Sequence, residues 1–279
     1  MMQIVIFDDK YRAAFYPICL LRSVGDIRCG VLKLRQRLES VFSNVESDSN
    51  PTCVIVDKNI EELYRERHAD WLVNTVHTGE KLFLNSRIML NEEAIKAINE
   101  LTEETALVNG SNVIAIRSKH NIDVDKPAGV LLKQCHIILY DSLSDVIHDN
   151  ARMLVWDFNR YFYDKDNFFE TEPGVTVLHP YNIWIGEDVT LSPGVVLNAA
   201  DGPIILDSGV QVMPNAVLTG PLYIGKHSIV KIGAKIYGNT SIGPVCKVGG
   251  EIEGSIFQAY SNKQHDGFLG HSYIGEWVN

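Results

Sequence analysis

The chain has 279 residues, which is enough for one large domain or two ordinary domains with full hydrophobic cores. Hydrophobic residues make up 46% and charged residues 22% of it, as in ordinary globular proteins, and no apolar run approaches the length of a membrane span. The net charge of −10 argues against nucleic acid as the main partner, because phosphate backbones are bound through clustered lysine and arginine.

The N-terminus turns acidic after seven residues and lacks the pattern of a signal peptide. The five cysteines are scattered, odd in number and never in CxxC spacing, which favours reduced thiols. We therefore expect a cytoplasmic protein that binds neither membrane nor nucleic acid.

Residues 1 to about 140 alternate between short apolar runs and helical patterns. Gln3–Phe7, Cys53–Val56 and Leu82–Leu84 are typical of buried strands, and Gly30–Glu39 and Glu92–Leu101 have helical spacing of their apolar residues. This alternation predicts an α/β layer with a mostly parallel sheet.

A further helix is predicted for about 142–162, with Ser142 as its cap, and it would bridge to a second domain. The stretch 163–173 that follows is acidic and rich in turn residues, so we place the domain boundary there. We predict an α/β domain over residues 1–170, which includes the helix, and a second domain over residues 175–279.

The second domain has a six-residue period of aliphatic residues, with one slip of three residues near 201–203. Its positions are Ile185, Leu191, Leu197, Leu206, Val212, Leu218, Ile224, Val230, Ile236, Ile242 and Val248. Neither an amphipathic helix nor an ordinary strand keeps this phase. The pattern predicts a left-handed parallel β-helix, in which each hexad forms one side of a triangular coil and its aliphatic residue stacks inward. A β-sandwich with coincidental spacing is the alternative.

Glycine often follows the aliphatic residue, as at Gly225 and Gly243, and we expect these glycines to adopt the positive φ that a tight corner needs. A new hexad opens at Ile274, five residues before the end of the sequence. A solenoid normally ends in a capping element, so the chain is expected to be cut short there, with a swapped or trimer-buried end as the alternative.

The hexad phase breaks between Val248 and Ile274, and the polar stretch 261–273 occupies the gap. Insertions in solenoids often carry function, and the imidazole of His265 would suit removal of a proton from an attacking amine or hydroxyl. A polar loop with surface histidines is the alternative.

The motif K-x-H-x-x-x-L-G-x-x-x-I-G, which runs from Lys263 to Gly275, resembles the acetyltransferase domain of the bifunctional glucosamine-1-phosphate acetyltransferase/N-acetylglucosamine-1-phosphate uridyltransferase family. The resemblance implies that His265 is the catalytic base, which deprotonates a sugar amine as it attacks acetyl-CoA. Lys235 lies near the position of an arginine in the family, which implies that it helps to hold a sugar phosphate. The resemblance also implies that Asn262 and Lys263 shape the substrate pocket.

Two positions depart from the family pattern. Phe268 stands where the family has a tyrosine and lacks its hydroxyl group, although it is still expected to line the substrate pocket. Glu253 stands where the family has a phosphate-binding lysine. These departures leave the identity of the sugar open.

The whole chain is similar to a variant bacterial branch of this family, the GlmU-like sugar nucleotidyltransferases. The segments that carry the likeness are Phe7–Asp9, Leu21–Gly30, Leu82–Arg87, Lys235–Pro244 and Tyr260–Ser272. Members of the wider family form trimers, which implies a homotrimer here.

The first domain departs from standard sugar nucleotidyltransferases, which carry a loop L-x-x-G-x-G-T-R-M directly after the first strand. Here Asp8 and Asp9 follow that strand, where α/β sheets bind ligands, but no metal site is predicted from them. Arg22 and Arg28 lie among apolar and turn residues and are candidates to bind a phosphate instead.

The neighbouring cations Lys33, Arg35 and Arg37 are better explained as a solvated helix face. Instead of a Gly-Asp metal site after a later strand, the chain has Asn85-Ser86-Arg87.

We therefore predict a transferase of sugar-nucleotide metabolism in which the β-helix transfers an acyl group from acetyl-CoA to an amino-sugar phosphate. One alternative is nucleotidyl transfer from a nucleoside triphosphate to a sugar 1-phosphate by the first domain, for which Mg²⁺ would be required. Another is a non-catalytic module that binds nucleotide sugars. The partners expected in each case are sugar phosphates and nucleotide sugars.

Overall fold

The structure is a computed structural model that describes residues 2–43, 51–163, 165 and 169–279. The chain divides into two compact units: the first runs to Ile27 and resumes over Lys33–Ser142, and the second joins Arg28–Leu32 to Leu143–Asn279. The stretch 163–173, in which the domain boundary was predicted, lies partly outside the described residues.

The first unit contains a seven-stranded sheet in the order β3-β2-β1-β4-β6-β5-β7. Its strands are β1 Gln3–Phe7, β2 Cys53–Ile55, β3 Leu72–Val73, β4 Lys81–Asn85, β5 Thr105–Asn109, β6 Asn112–Ser118 and β7 Leu131–Gln134. Among the strands that the structure describes, only β6 runs antiparallel to its neighbours, β4 and β5, so the predicted mostly parallel sheet is confirmed. Val5, Phe7 and Phe83 lie in one buried cluster of the sheet.

The helices of this unit are α1 Leu34–Phe42, α2 Lys58–Arg67 and α3 Glu92–Asn99. Three short 3₁₀ helices follow β1, at Lys10–Phe15, Ile18–Leu20 and Val24–Asp26. The helix predicted from Gly30 begins only at Leu34, because Lys33 has an extended backbone and residues 28–32 belong to the second unit. The prediction of a solvated face on α1 is wrong for Arg35 and Arg37, which are both buried.

The longer segment of the second unit begins with α4, Leu143–Tyr161, and continues as a stack of coils. The strands on the sides of these coils form three parallel sheets. The first sheet holds β8 Thr176–Leu178, β11 Val196–Asn198, β14 Val217–Thr219, β17 Lys235–Ile236, β20 Glu251–Glu253 and β23 Phe268–Gly270. The second holds β9 Ile183–Ile185, β12 Ile204–Leu206, β15 Leu222–Ile224, β18 Thr240–Ile242, β21 Ile256–Phe257 and β24 Tyr273–Ile274. The third holds β10 Thr190–Leu191, β13 Gln211–Val212, β16 Ile229–Val230, β19 Lys247–Val248 and β22 Asn262–Lys263.

The predicted left-handed β-helix is confirmed, and the hexad residues occupy its three sheets in turn. Leu206, Ile224 and Ile242 pair in register in the second sheet, for example, and all three are fully buried. Because a single coil cannot bury its own aliphatic face, the repetition itself supplies the core.

The glycines that follow the aliphatic residues do not have the positive φ that was expected. Gly225 and Gly243 instead lie so close to the next coil that a Cβ atom would come within 2.6 Å and 2.5 Å of its backbone. The positive-φ residues stand three places after the aliphatic position, as at His227 and Val245. At these two corners the left-handed turn therefore lies in the middle, while glycine at the start of the corner permits close stacking.

Helix α4 holds the segment Arg28–Leu32 within the second unit. Asn150 accepts a hydrogen bond from the Gly30 amide at 2.7 Å and another from Ser241 Oγ at 3.0 Å. Asp157 Oδ2 accepts from the Val31 amide at 2.8 Å. Both side chains are fully buried, so their polar atoms replace water for these backbone groups.

Candidate functional site

A cleft of about 330 Å³ lies where β1 and β2 end in the first unit. Its lining residues are Asp8, Asp9, Lys10, Arg12, Ile55, Val56, Asp57, Lys58, Ile122, Asp123, Val124 and Asp125. A more apolar cleft of about 450 Å³ shares Ile55, Val56, Lys58 and Ile122 with it. Ligands of open α/β sheets bind at the carboxyl ends of the strands, so these adjoining clefts form the candidate site.

Three cationic residues line the first cleft, and they have different surroundings. Arg12 is buried and donates to the main-chain oxygens of Leu20 and Arg22, at 2.9 Å and 3.3 Å. Lys10 and Lys58, in contrast, are exposed on the first turns of their helices. The two lysines are therefore the cations that a bound anion would meet. Neither was singled out from the sequence, although both directly follow acidic residues at strand ends.

Asp8 binds the chain segment that follows β1. Its carboxylate accepts hydrogen bonds from Ser23 Oγ at 2.8 Å, Ser86 Oγ at 2.7 Å and the Val24 amide at 3.2 Å. Burial raises the pKa of Asp8 to about 6, and the hydrogen bonds from Ser86 and Ser23 offset part of that effect. Asp8 therefore joins the ends of β1 and β4 to the residues that stand in place of a glycine-rich loop.

Asp9 is paired with Arg87, which follows β4. Arg87 Nη2 lies 2.6 Å from Asp9 Oδ2, Arg87 Nε lies 3.1 Å from Oδ1, and Asn85 Nδ2 donates to Oδ2 at 2.9 Å. Both carboxylates at the end of β1 are thus already bound by protein donors. In the parts of the chain that the structure describes, no group of three or more His, Cys, Asp or Glu side chains could hold a metal ion.

A second buried hydrogen-bond network lies next to this site, and it was not predicted from the sequence. Asp26 accepts from Tyr64 Oη at 2.6 Å and from Arg35 Nε at 3.3 Å, and the guanidinium of Arg35 lies over the ring of Trp71. Burial opposes the charge of Asp26, but the cations Arg35 and Lys33 hold its pKa below the ordinary value. The network fixes the 3₁₀ turn that contains Asp26 against α1 and α2.

The two arginines predicted to bind a phosphate belong to different units. Arg22 is half-buried in the first unit. Arg28 is buried in the second, where its guanidinium donates to the Val31 carbonyl and lies 5.3 Å from the ring centre of Tyr223. A phosphate role for either arginine stays a prediction.

The segment 261–273, expected as an insertion, continues the coils of the β-helix. Asn262–Lys263 pairs with β19, Phe268–Gly270 pairs with β20, and Tyr273–Ile274 pairs with β21. The hexad phase is lost in sequence because three sides of the coils between Val248 and Ile274, those that end at Ile252, Phe257 and Ile274, are shorter than six residues. The prediction of an insertion at this place is therefore wrong.

The predicted catalytic and substrate residues occupy three different places on these coils. Lys235, Glu251 and Phe268 are register partners in the first sheet, so they share one position along it. His265 is exposed at the corner between β22 and β23. Asn262 lies in the third sheet, where its side-chain Nδ2 donates to Asn279 Oδ1 at 3.3 Å.

Lys263 occupies an unexpected position. It is the register partner of Val248 in the third sheet, in the inward column that Leu191, Val212 and Val230 begin. Its ammonium group contacts main-chain carbonyls of the coil. The predicted role of Lys263 in shaping a substrate pocket stays a prediction.

Within the described part of the chain, every helix is too short or too polar to cross a lipid bilayer. A model of the sugar nucleotidyl transferase family matches residues 4–165. The bifunctional protein GlmU of Micrococcus luteus is 30% identical over 155 residues. That match covers 47% of this chain and only 30% of the bacterial protein, so the chain corresponds to under a third of that relative.

Proposed function

Since the chain belongs to the sugar nucleotidyl transferase family, and is thereby a transferase of sugar-nucleotide metabolism, we propose that its first unit transfers a nucleotidyl group from a nucleoside triphosphate to a sugar 1-phosphate. The observation that carries the proposal is the cleft at the ends of β1 and β2, with exposed Lys10 and Lys58 on its lining. The ends of both strands that line the cleft lie within the segment that the family model matches.

The two adjoining clefts suit the two parts of a nucleotide. The cleft lined by Val76, Phe83 and Ile122 is mainly apolar and would take the base and ribose. The neighbouring cleft would take the phosphates, because the ammonium groups of Lys10 and Lys58 can neutralise their negative charge.

In the proposed reaction, a phosphate oxygen of the sugar 1-phosphate attacks the α-phosphorus of the triphosphate. The new P–O bond forms as the bond from the α-phosphorus to the β-phosphate oxygen breaks, and pyrophosphate leaves with that electron pair. The attacking oxygen is already anionic, so no general base is needed. The protein's part is to position the two anions and to stabilise charge on the leaving pyrophosphate.

Magnesium would arrive with the triphosphate, since Mg²⁺ commonly binds substrate phosphates together with one or two carboxylates. Asp8 and Asp9 are engaged by protein donors, and the described residues form no metal-holding group. No step is therefore assigned to a protein-bound metal.

Pyrophosphate release, measured with each common nucleoside triphosphate and a panel of sugar 1-phosphates, tests the proposal. Lys10→Ala and Lys58→Ala should each lower kcat/KM by about tenfold or more, because each removes a charge that faces the phosphates. Lys96→Ala removes another exposed lysine, from α3 and outside both clefts, and should not change the rate. Failure of every substrate pair to release pyrophosphate would overturn the proposal.

A second candidate is acyl transfer by the β-helix, which the exposure of His265 favours. The amine of an amino-sugar phosphate would attack the thioester carbonyl of acetyl-CoA. The C–N bond forms, the C–S bond breaks, His265 takes the proton from the amine, and coenzyme A leaves as its thiol after protonation. Lys235, in the neighbouring sheet, would face the sugar phosphate.

Release of free thiol from acetyl-CoA measures this second reaction. His265→Ala should slow it by about a hundredfold or more if the imidazole is the base. His148→Ala, which removes an exposed histidine from α4, is the matched control. Equal rates in the two variants would exclude His265 as the base. The homotrimer and the cytoplasmic location stay predictions.

A further inference from the structure

A charged residue continues an aliphatic column inside the β-helix. Along the third sheet, the inward register positions are Leu191, Val212, Val230, Val248 and Lys263. The first four are buried side chains of the core. Lys263 therefore stands where the fold places an apolar side chain in the preceding coils, and its methylene groups can extend that column.

The ammonium group of Lys263 ends among three main-chain oxygens. Its Nζ lies 2.9 Å from the carbonyl oxygen of Gly249, 2.7 Å from that of His265 and 2.8 Å from that of Gly267. A lysine ammonium has three N–H donors, so these carbonyls can use all of them. Desolvation lowers the pKa of Lys263, which agrees with an ammonium group held partly away from water.

These contacts close the corner that carries His265. Two of the three acceptors, His265 and Gly267, lie within four residues of Lys263, and Gly249 belongs to the preceding coil. The Gly267 oxygen also accepts the Glu251 amide at 3.1 Å, which ties the same corner to β20. Packing is tight there, because a Cβ atom on Gly250 would lie 2.7 Å from Lys263 Nζ and 2.8 Å from the His265 oxygen.

We propose that Lys263 is a positioning residue, which fixes the backbone of the corner 264–267 and thereby the direction of the exposed His265 side chain. This inference rests on acyl transfer, the second candidate function. It differs from a substrate-binding role, because the donors of Lys263 are directed at backbone oxygens of its own coil and of the preceding coil. Hydrogen bonds from a charged donor are among the stronger ones in proteins, so one ammonium group can hold all three carbonyl groups in place.

Lys263→Met is the informative variant, since an unbranched apolar side chain fits the column and lacks the three donors. Lys263→Arg retains charge and donors and is the conservative variant. Lys247→Met is the matched control, because Lys247 lies in the same sheet one coil earlier with its side chain exposed. Circular dichroism and the thermal midpoint establish first that each variant is folded.

Amide hydrogen exchange tests the positioning without any activity. In Lys263→Met, the Glu251 amide should exchange about tenfold faster or more, because its acceptor Gly267 loses the charged donor that fixes it. In the control Lys247→Met, the Glu251 amide should exchange at the wild-type rate. Unchanged exchange of the Glu251 amide in folded Lys263→Met would overturn the proposal.

Kinetics then separate positioning from substrate contact. If the wild type transfers acyl groups, Lys263→Met should lower kcat by about tenfold or more and leave the KM for the sugar unchanged, while Lys263→Arg retains most of kcat. A raised KM with normal kcat would show substrate contact instead and would also overturn the proposal. A wild type without acyl transfer defeats the second candidate function, and the exchange measurement still decides whether Lys263 holds the corner.

Discussion

Arg87 binds Asp9 through two hydrogen bonds, from Nη2 to Oδ2 at 2.6 Å and from Nε to Oδ1 at 3.1 Å. Arg87 also donates to the Tyr140 carbonyl at 2.6 Å. The Arg87 side chain is 1% exposed and that of Asp9 is 8% exposed, so water compensates neither charge. The pair therefore joins the ends of β1 and β4 as a structural element of the candidate site.

Replacing Arg87 by methionine should lower the free energy of unfolding by about 3–5 kcal/mol, because Asp9 would then be buried without its partner. Chemical denaturation measures the loss. Adding Asp9→Asn to Arg87→Met should recover part of it, since the unpaired charge is gone.

Arg65→Met is the matched control for that measurement. Arg65 pairs with Glu61 at 2.6 Å, but its side chain is 56% exposed. Surface pairs of this kind contribute about 1 kcal/mol or less. If Arg87→Met costs no more than Arg65→Met, the buried pair does not have the structural role inferred here.

Asp8 makes the stability of the protein depend on pH. Its pKa is raised from the ordinary 3.8 to about 6 in the folded chain, so folding favours its protonated form. This contribution is fully present below about pH 4 and is lost as the pH rises through 6. An asparagine at position 8 cannot ionise, so its contribution to stability does not fall as the pH rises.

The stability of Asp8→Asn relative to wild type should therefore rise between pH 4 and pH 7. The pKa shift sets an upper bound of about 3 kcal/mol on this rise in the relative free energy of unfolding, and the partial exposure of Asp8 makes the expected rise smaller. Urea denaturation at several pH values gives the comparison. Parallel stability curves for the two proteins over this range would contradict the assignment.

The β-helix could be predicted from sequence because its signal is local and repeated. Each aliphatic residue recurs six places on, and the stacking of Ile224 on Ile242 needs no information from distant parts of the chain. The prediction failed after Val248, where sides of the coil are shorter than six residues. Counting every sixth residue then finds no aliphatic position, although Phe257 and Ile274 still pair in the second sheet.

The candidate site was harder to predict, because its pairs are distant in sequence. Arg87 and Asp9 are 78 positions apart, and only the parallel pairing of β1 with β4 brings them together. Arg35 was expected on a solvated helix face because its neighbours in sequence are charged. Its actual partner Asp26 lies in a preceding turn, whose direction no periodicity specifies.

Asp157 on α4 should be required to keep the segment Arg28–Leu32 in place. Its carboxylate accepts the Val31 amide at 2.8 Å and the Leu32 amide at 3.4 Å. Asp157→Ala would leave a buried donor without its acceptor, at a cost of about 1–3 kcal/mol, whereas Asp157→Asn retains an acceptor oxygen and should cost less. Faster hydrogen exchange of the Val31 amide in the alanine variant is the expected result, and equal stability of the two variants would contradict it.

Cysteine reactivity provides a test of burial that is independent of activity. Cys19, Cys29, Cys53 and Cys246 are buried, and Cys135 is partly exposed. Burial raises the pKa of Cys53 to about 12, and it raises the pKa of Cys19 and Cys246 as well. Because the thiolate is the nucleophile, these thiols should react slowly with a disulfide reagent at pH 8.

We therefore expect about one thiol per chain to react rapidly in the native protein and all five to react in denaturant. The absorbance change of a chromogenic disulfide reagent gives the number of reactive thiols in the native and in the denatured protein. Cys135→Ser should abolish the rapid phase without changing the slow one. Rapid reaction of two or more thiols in the native protein would mean that at least one of the four cysteines assigned to the cores is accessible to solvent.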